Sequence, residues 1–189
     1  TPFRVSFLGG GTDLKSFYKE NSGSVISTSI DKYIYLSMHN YFYPSRYLLK
    51  YSQTEEVGSV NEIKHNIIRE VFKRFDIKNI DFNSTADIPS GTGMGSSSAF
   101  TAGLINLCST FNGENLQQHE IARLACEIEI DILKDPIGKQ DQYGTAIGGF
   151  KKINFNPDES VDISPIFLNQ QKMIGLQNNL LLFHTNQTR

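Results

Sequence analysis

The chain has no tryptophan and only two cysteines, Cys108 and Cys126, so neither a disulfide framework nor a cysteine-rich metal centre organises it. Each cysteine sits in a helix-like stretch among apolar neighbours, which predicts buried thiols and a reducing, cytoplasmic setting. The four histidines (His39, His65, His119, His184) are scattered, and no pair stands at helical or zinc-ligand spacing. No apolar run reaches the roughly 18 residues that a membrane span needs. Excess charge is missing too: 18 Lys and Arg against 20 Asp and Glu leave a net charge of −2. That balance gives no footprint for nucleic acid and no basic face for an anionic membrane, and a small ligand is the better expectation.

What is present suits one globular domain with a real core: 189 residues, 39% hydrophobic and 20% charged. Phe3 to Leu8 reads as a strand stopped by Gly9-Gly10-Gly11. Val25–Ile30, Tyr33–Met38 and Tyr47–Tyr51 are β-branched and aromatic and read as further strands. From Glu62 to Phe75 the apolar residues recur at three and four, which predicts an amphipathic helix. Asn79–Thr85 returns to strand, Phe100–Phe111 is an almost uncharged helix, and a third helix spans Leu116 to Lys134, ahead of Pro136. Strands at Phe150–Phe155 and Asn179–His184 complete an α+β reading, a mixed sheet with packed helices.

Between the strand at 79–85 and the uncharged helix lies Pro89-Ser90-Gly91-Thr92-Gly93-Met94-Gly95-Ser96-Ser97-Ser98-Ala99. Glycine at every second position allows positive φ and close backbone approach, and the helix that follows adds free N–H donors and a positive dipole end. Together these make an anion site. The spacing departs from the established phosphate loops. Counted from Gly91, a Walker A loop has Ser96 where its second glycine belongs and no lysine after it. The dinucleotide fingerprint fails at the same Ser96. A nucleophile elbow around Ser97 fails because residue 99 is Ala.

On a helical wheel for the third helix, Ile121, Ala122, Leu124, Ala125, Cys126, Ile128, Ile132 and Leu133 form one apolar arc, and Glu129 falls inside it. A buried, unpaired carboxylate is costly, so a partner cation is expected: an Arg or Lys from elsewhere, or Mg²⁺ shared with a serine of the loop. Asp135 to Gly144 reads as a polar loop. There Asp141 is either a solvated or capping residue, or a base for a hydroxyl that attacks a phosphate. Gly9-Gly10-Gly11-Thr12-Asp13 is either a tight capped turn or a cradle for sugar hydroxyls.

These segments in this order resemble the GHMP kinases, the galactokinase, homoserine kinase, mevalonate kinase and phosphomevalonate kinase superfamily. The family's Pro, spacer, Gly-Leu-Gly-Ser-Ser-Ala motif is matched from Pro89 through Gly93-Met94-Gly95-Ser96-Ser97-Ser98-Ala99. Its first motif is matched from Thr1-Pro2-Phe3-Arg4-Val5 to Thr12-Asp13, and Asp141-Gln142 and Glu129 fall at its catalytic Asp and magnesium Glu. The resemblance implies the family's N-terminal ATP-binding lobe, of the ribosomal protein S5 domain 2 type, over 1–189. It further implies a second lobe beyond the Thr-x-x-Thr-Arg-like stretch at His184–Arg189, so that 189 residues are expected to be a part of a roughly twofold longer enzyme, an expectation that Thr1 in place of an initiator Met shares.

The resemblance also implies roles. Asp141 becomes the base, with Arg4 beside it and the transferring phosphate. Pro89, Gly91, Gly93, Met94, Gly95, Ser96, Ser97 and Ser98 cradle ATP, and Ser97 and Glu129 hold Mg²⁺. Gly10, Gly11, Thr12, Asp13, Gln142 and Tyr143 meet the sugar. Gly10-Gly11 stands where galactokinases carry Glu-His, so the sugar contacts differ from theirs. The wording of the first motif, with Gly138-Lys139-Gln140-Asp141-Gln142-Tyr143 and Gly148-Gly149-Phe150, looks most like bacterial kinases acting at C1 of D-glycero-D-manno-heptose 7-phosphate. Fucokinase-like and galactokinase-like members, or a non-catalytic sugar-binding relative, are the alternatives. By charge alone, Lys139, Lys151 and Arg189 are candidates for a substrate phosphate. The expected partners are a small sugar or sugar phosphate, with no nucleic acid and no membrane, and a homodimer is left open.

Overall fold

A computed structural model describes residues 1–183. Strand β1 (Pro2–Leu8) ends in the glycine turn, where Gly9 has φ +89° and a Cβ would lie 1.9 Å from the Ser24 carbonyl oxygen. Only glycine fits there. After helix α1 (Lys15–Asn21) comes β2 (Gly23–Asn40), one strand of 18 residues where the sequence predicts two. Asp31 and Lys32 are exposed but bring neither Gly nor Pro, so the strand runs straight through them.

The chain continues through β3 (Tyr47–Lys50), β4 (Thr54–Val57), a 3₁₀ turn (Val60–Glu62), α2 (Asn66–Arg74) and β5 (Ile80–Ala86). Then come α3 (Ser96–Phe111), α4 (Gln118–Cys126), α5 (Gln140–Ala146), β6 (Phe150–Phe155), β7 (Val161–Pro165) and α6 (Gln170–Asn178). Strands order as β4-β3-β5-β2-β6-β7, with β1 also on β2. All pairings are antiparallel except β3 with β5. The length of β2 makes this possible: residues 23–28 pair with β6, 26–33 face β1, and 34–40 pair with β5.

Helices cover one face of this mixed α+β sheet. Phe3, Leu49, Ile68, Val71, Phe72, Phe82, Leu104 and Ile105 are fully buried in the larger apolar cluster, with Phe72 edge-on to Phe82 at 6.1 Å. A second cluster gathers Tyr18, Val25, Ala122, Cys126, Tyr143, Ile153 and Phe155. Both cysteines are buried and unpaired, as expected, and burial pushes both thiols up. No helix among the described residues is long and apolar enough to cross a membrane.

Several boundaries differ from the sequence reading. Helix α2 starts at Asn66, not Glu62, because the His65 ring accepts from Ile68 N (3.5 Å) and caps it. Helix α3 begins at Ser96, so the serines form its first turn. The expected Leu116–Lys134 helix is α4 followed by a π-helical stretch, Glu127–Ile132, in which Leu133 N donates to Ile128 O at 2.9 Å. The wider turn breaks the wheel and leaves Ile132 48% exposed. The expected loop at 135–144 becomes α5 from Gln140. Residues 179–183 are not a strand, since no strand of the sheet lies beside them, and His184 is outside the described residues. Helices α1 and α6 bury one side chain and none, and strands β4 and β7 are four and five residues long, so none of them carries a readable period.

Candidate active site

The glycines of the loop do what their spacing requires: Gly91, Gly93 and Gly95 have φ of +79°, +74° and +72°. Gly95 is the N-cap of α3 and no side chain caps the helix. Ala99 N is the first to bond back, to Gly95 O at 2.8 Å, so the N–H groups of Ser96, Ser97 and Ser98 keep no helical partner. Helix α3 carries no charged residue, so its positive end is not offset from within. Thr92 Oγ1 donates to Pro89 O (3.3 Å) and braces the loop.

Arg4 joins this loop to Asp141. Its backbone N–H donates to Met94 O (3.2 Å) and its Nη1 to Gly93 O (3.0 Å). Its Nε donates to Asp141 Oδ1 at 3.0 Å, and Nη2 contacts the same oxygen. The Arg4 side chain is nearly buried while that of Asp141 is 29% exposed, so the carboxylate faces the open side of the pair. The stem of Arg4 lies against two glycines. A Cβ at Gly95 or at Gly144 would come within 3.2 Å of Arg4 Cγ.

Glu129 is 0% exposed, as the wheel requires, yet it has no cation partner among the described residues. Four neutral donors stand where an Arg or Lys is one of the two expected partners. Ser97 Oγ (3.0 Å) and Thr101 Oγ1 (2.7 Å) donate to Oε1, while Ser98 Oγ (2.8 Å) and Gln142 Nε2 donate to Oε2. Burial raises the Glu129 carboxyl above its ordinary value, and the Thr101, Ser98, Gln142 and Ser97 bonds pull it back. The sequence reading missed Thr101, although its place one turn after Ser97 on α3 is a usable signal.

The remaining candidates lie as follows. Thr12 and Asp13 are occupied within the protein: Thr12 Oγ1 donates to Gly9 O (2.7 Å), and Asp13, 2% exposed, accepts from Gly11 N (3.0 Å) and Gln140 N (3.0 Å). Asp13 thereby caps α5, one residue before Asp141. Gly10 and Gly11 are exposed at the tip of that turn. Gln142 and Tyr143 point inward, Gln142 to Glu129 and Tyr143 edge-on to His119 at 5.2 Å. Burial pushes the Tyr143 hydroxyl up to about 12. Of the phosphate candidates, Lys151 is 1% exposed and donates to Gly144 O (3.0 Å) and Gly149 O (3.3 Å), so it faces no open site. Lys139 Nζ donates to Glu159 O (3.2 Å) and sits 4.8 Å above the Tyr18 ring, and Arg189 is outside the described residues.

For a divalent cation, the donor set is a hydroxyl and a carboxylate. Among the described residues no three His, Cys, Asp or Glu side chains gather. One carboxylate with a hydroxyl suits Mg²⁺, which takes few protein ligands and completes its shell with phosphate oxygens and water.

Residues 61–149, which hold the loop, Glu129 and Asp141, match the family model described as the GHMP kinases N terminal domain. The chain carries a GHMP kinase N-terminal domain. It is 30% identical over 203 residues to D-glycero-alpha-D-manno-heptose 7-phosphate kinase of Campylobacter jejuni, with all of this chain and 59% of that protein covered. It is 27% identical over 152 residues to the galactokinase of Thermosipho africanus, covering 77% of this chain and 42% of that one. Among solved structures, a D-glycero-D-manno-heptose 1-phosphate kinase from Bacteriodes thetaiotaomicron superposes with a TM-score of 0.80 at 23% identity, over 90% of this chain and 60% of that one. The chain thus spans about 60% of the length of its heptose kinase relatives. The superposition shows that its fold is that of GHMP kinases.

Two stability effects follow. Glu129→Ala leaves the hydroxyls and the Gln142 amide without their acceptor, and should cost about 2–4 kcal/mol in urea unfolding. Burial lowers the Lys151 ammonium to about 8, against about 10.4 in an unfolded chain. Between these values the unfolded state binds more protons, so this group's contribution to stability rises with pH through that window. Urea unfolding of wild type and Lys151→Met should show the difference moving toward wild type by on the order of 3 kcal/mol from about pH 7.5 to about pH 10.5.

Proposed function

We propose that the full-length protein is an ATP-dependent sugar kinase whose γ-phosphate acceptor is a hydroxyl of a heptose phosphate, and that this chain supplies its ATP-binding lobe. The carrying observation is the Arg4 bridge. One guanidinium holds both the Asp141 carboxylate and the Gly93 carbonyl of the loop, so a base and a phosphate cradle are fixed side by side. Phosphoryl transfer depends mainly on such positioning and on neutralising charge.

In this reading the N–H groups of Ser96, Ser97 and Ser98 bind the phosphates of ATP. Asp141 accepts the proton of the sugar hydroxyl as that oxygen bonds to the γ-phosphorus and the bond to ADP breaks. Arg4 orients Asp141 and lends positive charge to the transferring group. Ser97 and Glu129 are the residues that would hold Mg²⁺, which when bound neutralises phosphate charge. Thr12 and Asp13 shape the Gly10-Gly11 turn toward the sugar rather than spending their own side chains on it.

The Campylobacter jejuni relative's name supports a heptose phosphate, and Gly10-Gly11 in place of a galactokinase's Glu-His argues against galactose. The C1 hydroxyl of the 7-phosphate is the acceptor we favour. In the full-length enzyme, Asp141→Asn should lower kcat by roughly 10²- to 10⁴-fold with nucleotide binding little changed. Coupled ADP-release assays of heptose 7-phosphate, heptose 1-phosphate, fucose, galactose and mevalonate should give the highest kcat/KM with the first. Near-normal turnover of the Asn variant, or a preference for another acceptor, overturns the respective part of the proposal.

A further inference from the structure

The inward face of the sheet changes character beneath α5. Along β2 and β6 it begins as an apolar layer, Val25 opposite Ile153 and Gly23 opposite Phe155. Two residues on, Ser27 stands opposite Lys151 on one side and Ser6 on the other, and the next row pairs Ser29 with Arg4. Directly opposed residues of antiparallel strands share a face, so these side chains form one polar patch. It is poorly satisfied. The hydroxyls of Ser6, Ser27 and Ser29 are buried without a hydrogen-bond partner.

Lys151 is the anomaly in that patch. Its position continues the alternation that buries Ile153 and Phe155, where packing alone calls for an apolar side chain. It has instead a buried ammonium with no carboxylate partner among the described residues, and such a group is a net cost to folding. What the ammonium does hold is specific. Gly144 O belongs to the last turn of α5, three residues after Asp141, and Gly149 O belongs to the turn that leads into β6.

Helix α5 is only seven residues long, too short to hold itself in place. Its first N–H is held by Asp13, its Asp141 by Arg4, and its Gln142 by Glu129. Gly144, which packs against Arg4 and within reach of Ser27 Oγ, lets the helix settle onto the patch, and a Cβ there would meet both. We propose that Lys151 is a positioning residue for phosphoryl transfer: by tying the Gly144 carbonyl to the start of β6, it fixes the roll of α5 and so the aim of Asp141 beside Arg4. The proposal rests on the kinase reading above, with Asp141 as the base.

The test is steady-state kinetics on the full-length enzyme. Lys151→Met removes both N–H donations at similar volume, and should lower kcat by about 10- to 100-fold, as for a small misplacement of a reacting group, with KM for ATP within twofold. Lys151→Gln retains two N–H donors without the charge, and should recover most of that kcat. Wild-type kcat in Lys151→Met overturns the proposal. So does a Gln variant as impaired as the Met variant, or a loss in both that appears as raised KM for both substrates with a matching fall in Tm, which marks a merely structural role. If Lys151→Met does not fold, the Gln variant still decides, since a KM effect without a kcat effect there overturns the proposal. Asp141→Asn in the same assay separates the two readings: an impaired Asn variant beside an unimpaired Lys151→Met rejects this inference alone, and an active Asn variant rejects the kinase reading itself.

Discussion

A carboxylate shut away from water without a cation dictates how the helices of this domain meet. Glu129 has two oxygens and four donors, and the donors come from two other helices: Ser97, Ser98 and Thr101 from α3, and Gln142 from α5. Both oxygens of the carboxylate are engaged, so α3, α5 and the π-helical stretch that carries Glu129 cannot shift independently without stranding a polar group in the core. The glycine-serine loop inherits this constraint, because the serines that contact Glu129 are also the first turn of α3 and the last residues of the loop. The π turn has its place in the same argument. Its i to i+5 bond widens the helix where Glu129 enters the interior, a local irregularity of the kind that recurs at functional sites.

Helix α5 connects that node to the Arg4–Asp141 pair. Adjacent residues on it serve two ends, Gln142 inward to Glu129 and Asp141 outward to Arg4. A helix so rich in polar side chains and so short would not be expected to form alone. It forms because long-range partners hold it, with Asp13 at its start, Arg4 on Asp141 and Glu129 on Gln142, and Thr145 Oγ1 returning to Asp141 O at 2.8 Å, although Gln140 Oε1 and Gln142 Oε1 stay buried without a partner. This part of the molecule is held largely through polar contacts, and several buried polar atoms around it go without a partner. That is an expensive arrangement, tolerable because the apolar clusters around Phe72 and around Phe155 hold the rest of the sheet and helices together.

What could be read from the sequence divides along the same line. Apolar periodicity and glycine chemistry were legible. They locate β1, β3, β5, β6, the body of α2 and α3, the positive φ of the loop glycines and the inward turn of Glu129. Partners fixed only by tertiary structure were not. Nothing in Gln140-Asp141-Gln142-Tyr143-Gly144 signals a helix, since its period is carried by hydrogen bonds to Asp13, Arg4 and Glu129, 127, 137 and 13 residues away in sequence. The expectation of an Arg or Lys beside Glu129 failed for a related reason. Solvation cost was weighed correctly, but hydroxyls and an amide can share the work of a single charge when enough of them converge.

The two charged centres of the site are therefore built on opposite principles. Asp141 keeps part of its surface in solvent and takes its partner from a strong donor, a guanidinium, which suits a carboxylate that has to hold its aim toward the open side of the site. Glu129 gives up solvent entirely and is held by weak neutral donors, one of which, Ser97, is itself exposed at the loop. A hydroxyl that donates to Glu129 retains lone pairs of its own, so Ser97 can face a cation without leaving the carboxylate. Negative charge is thus kept back from the loop's free N–H groups, which the proposed function assigns to the phosphates of ATP, while its influence reaches the surface through a single hydroxyl. An arrangement with Glu129 exposed at the loop would set a negative charge against the positive end of α3 and repel any anion that approached it.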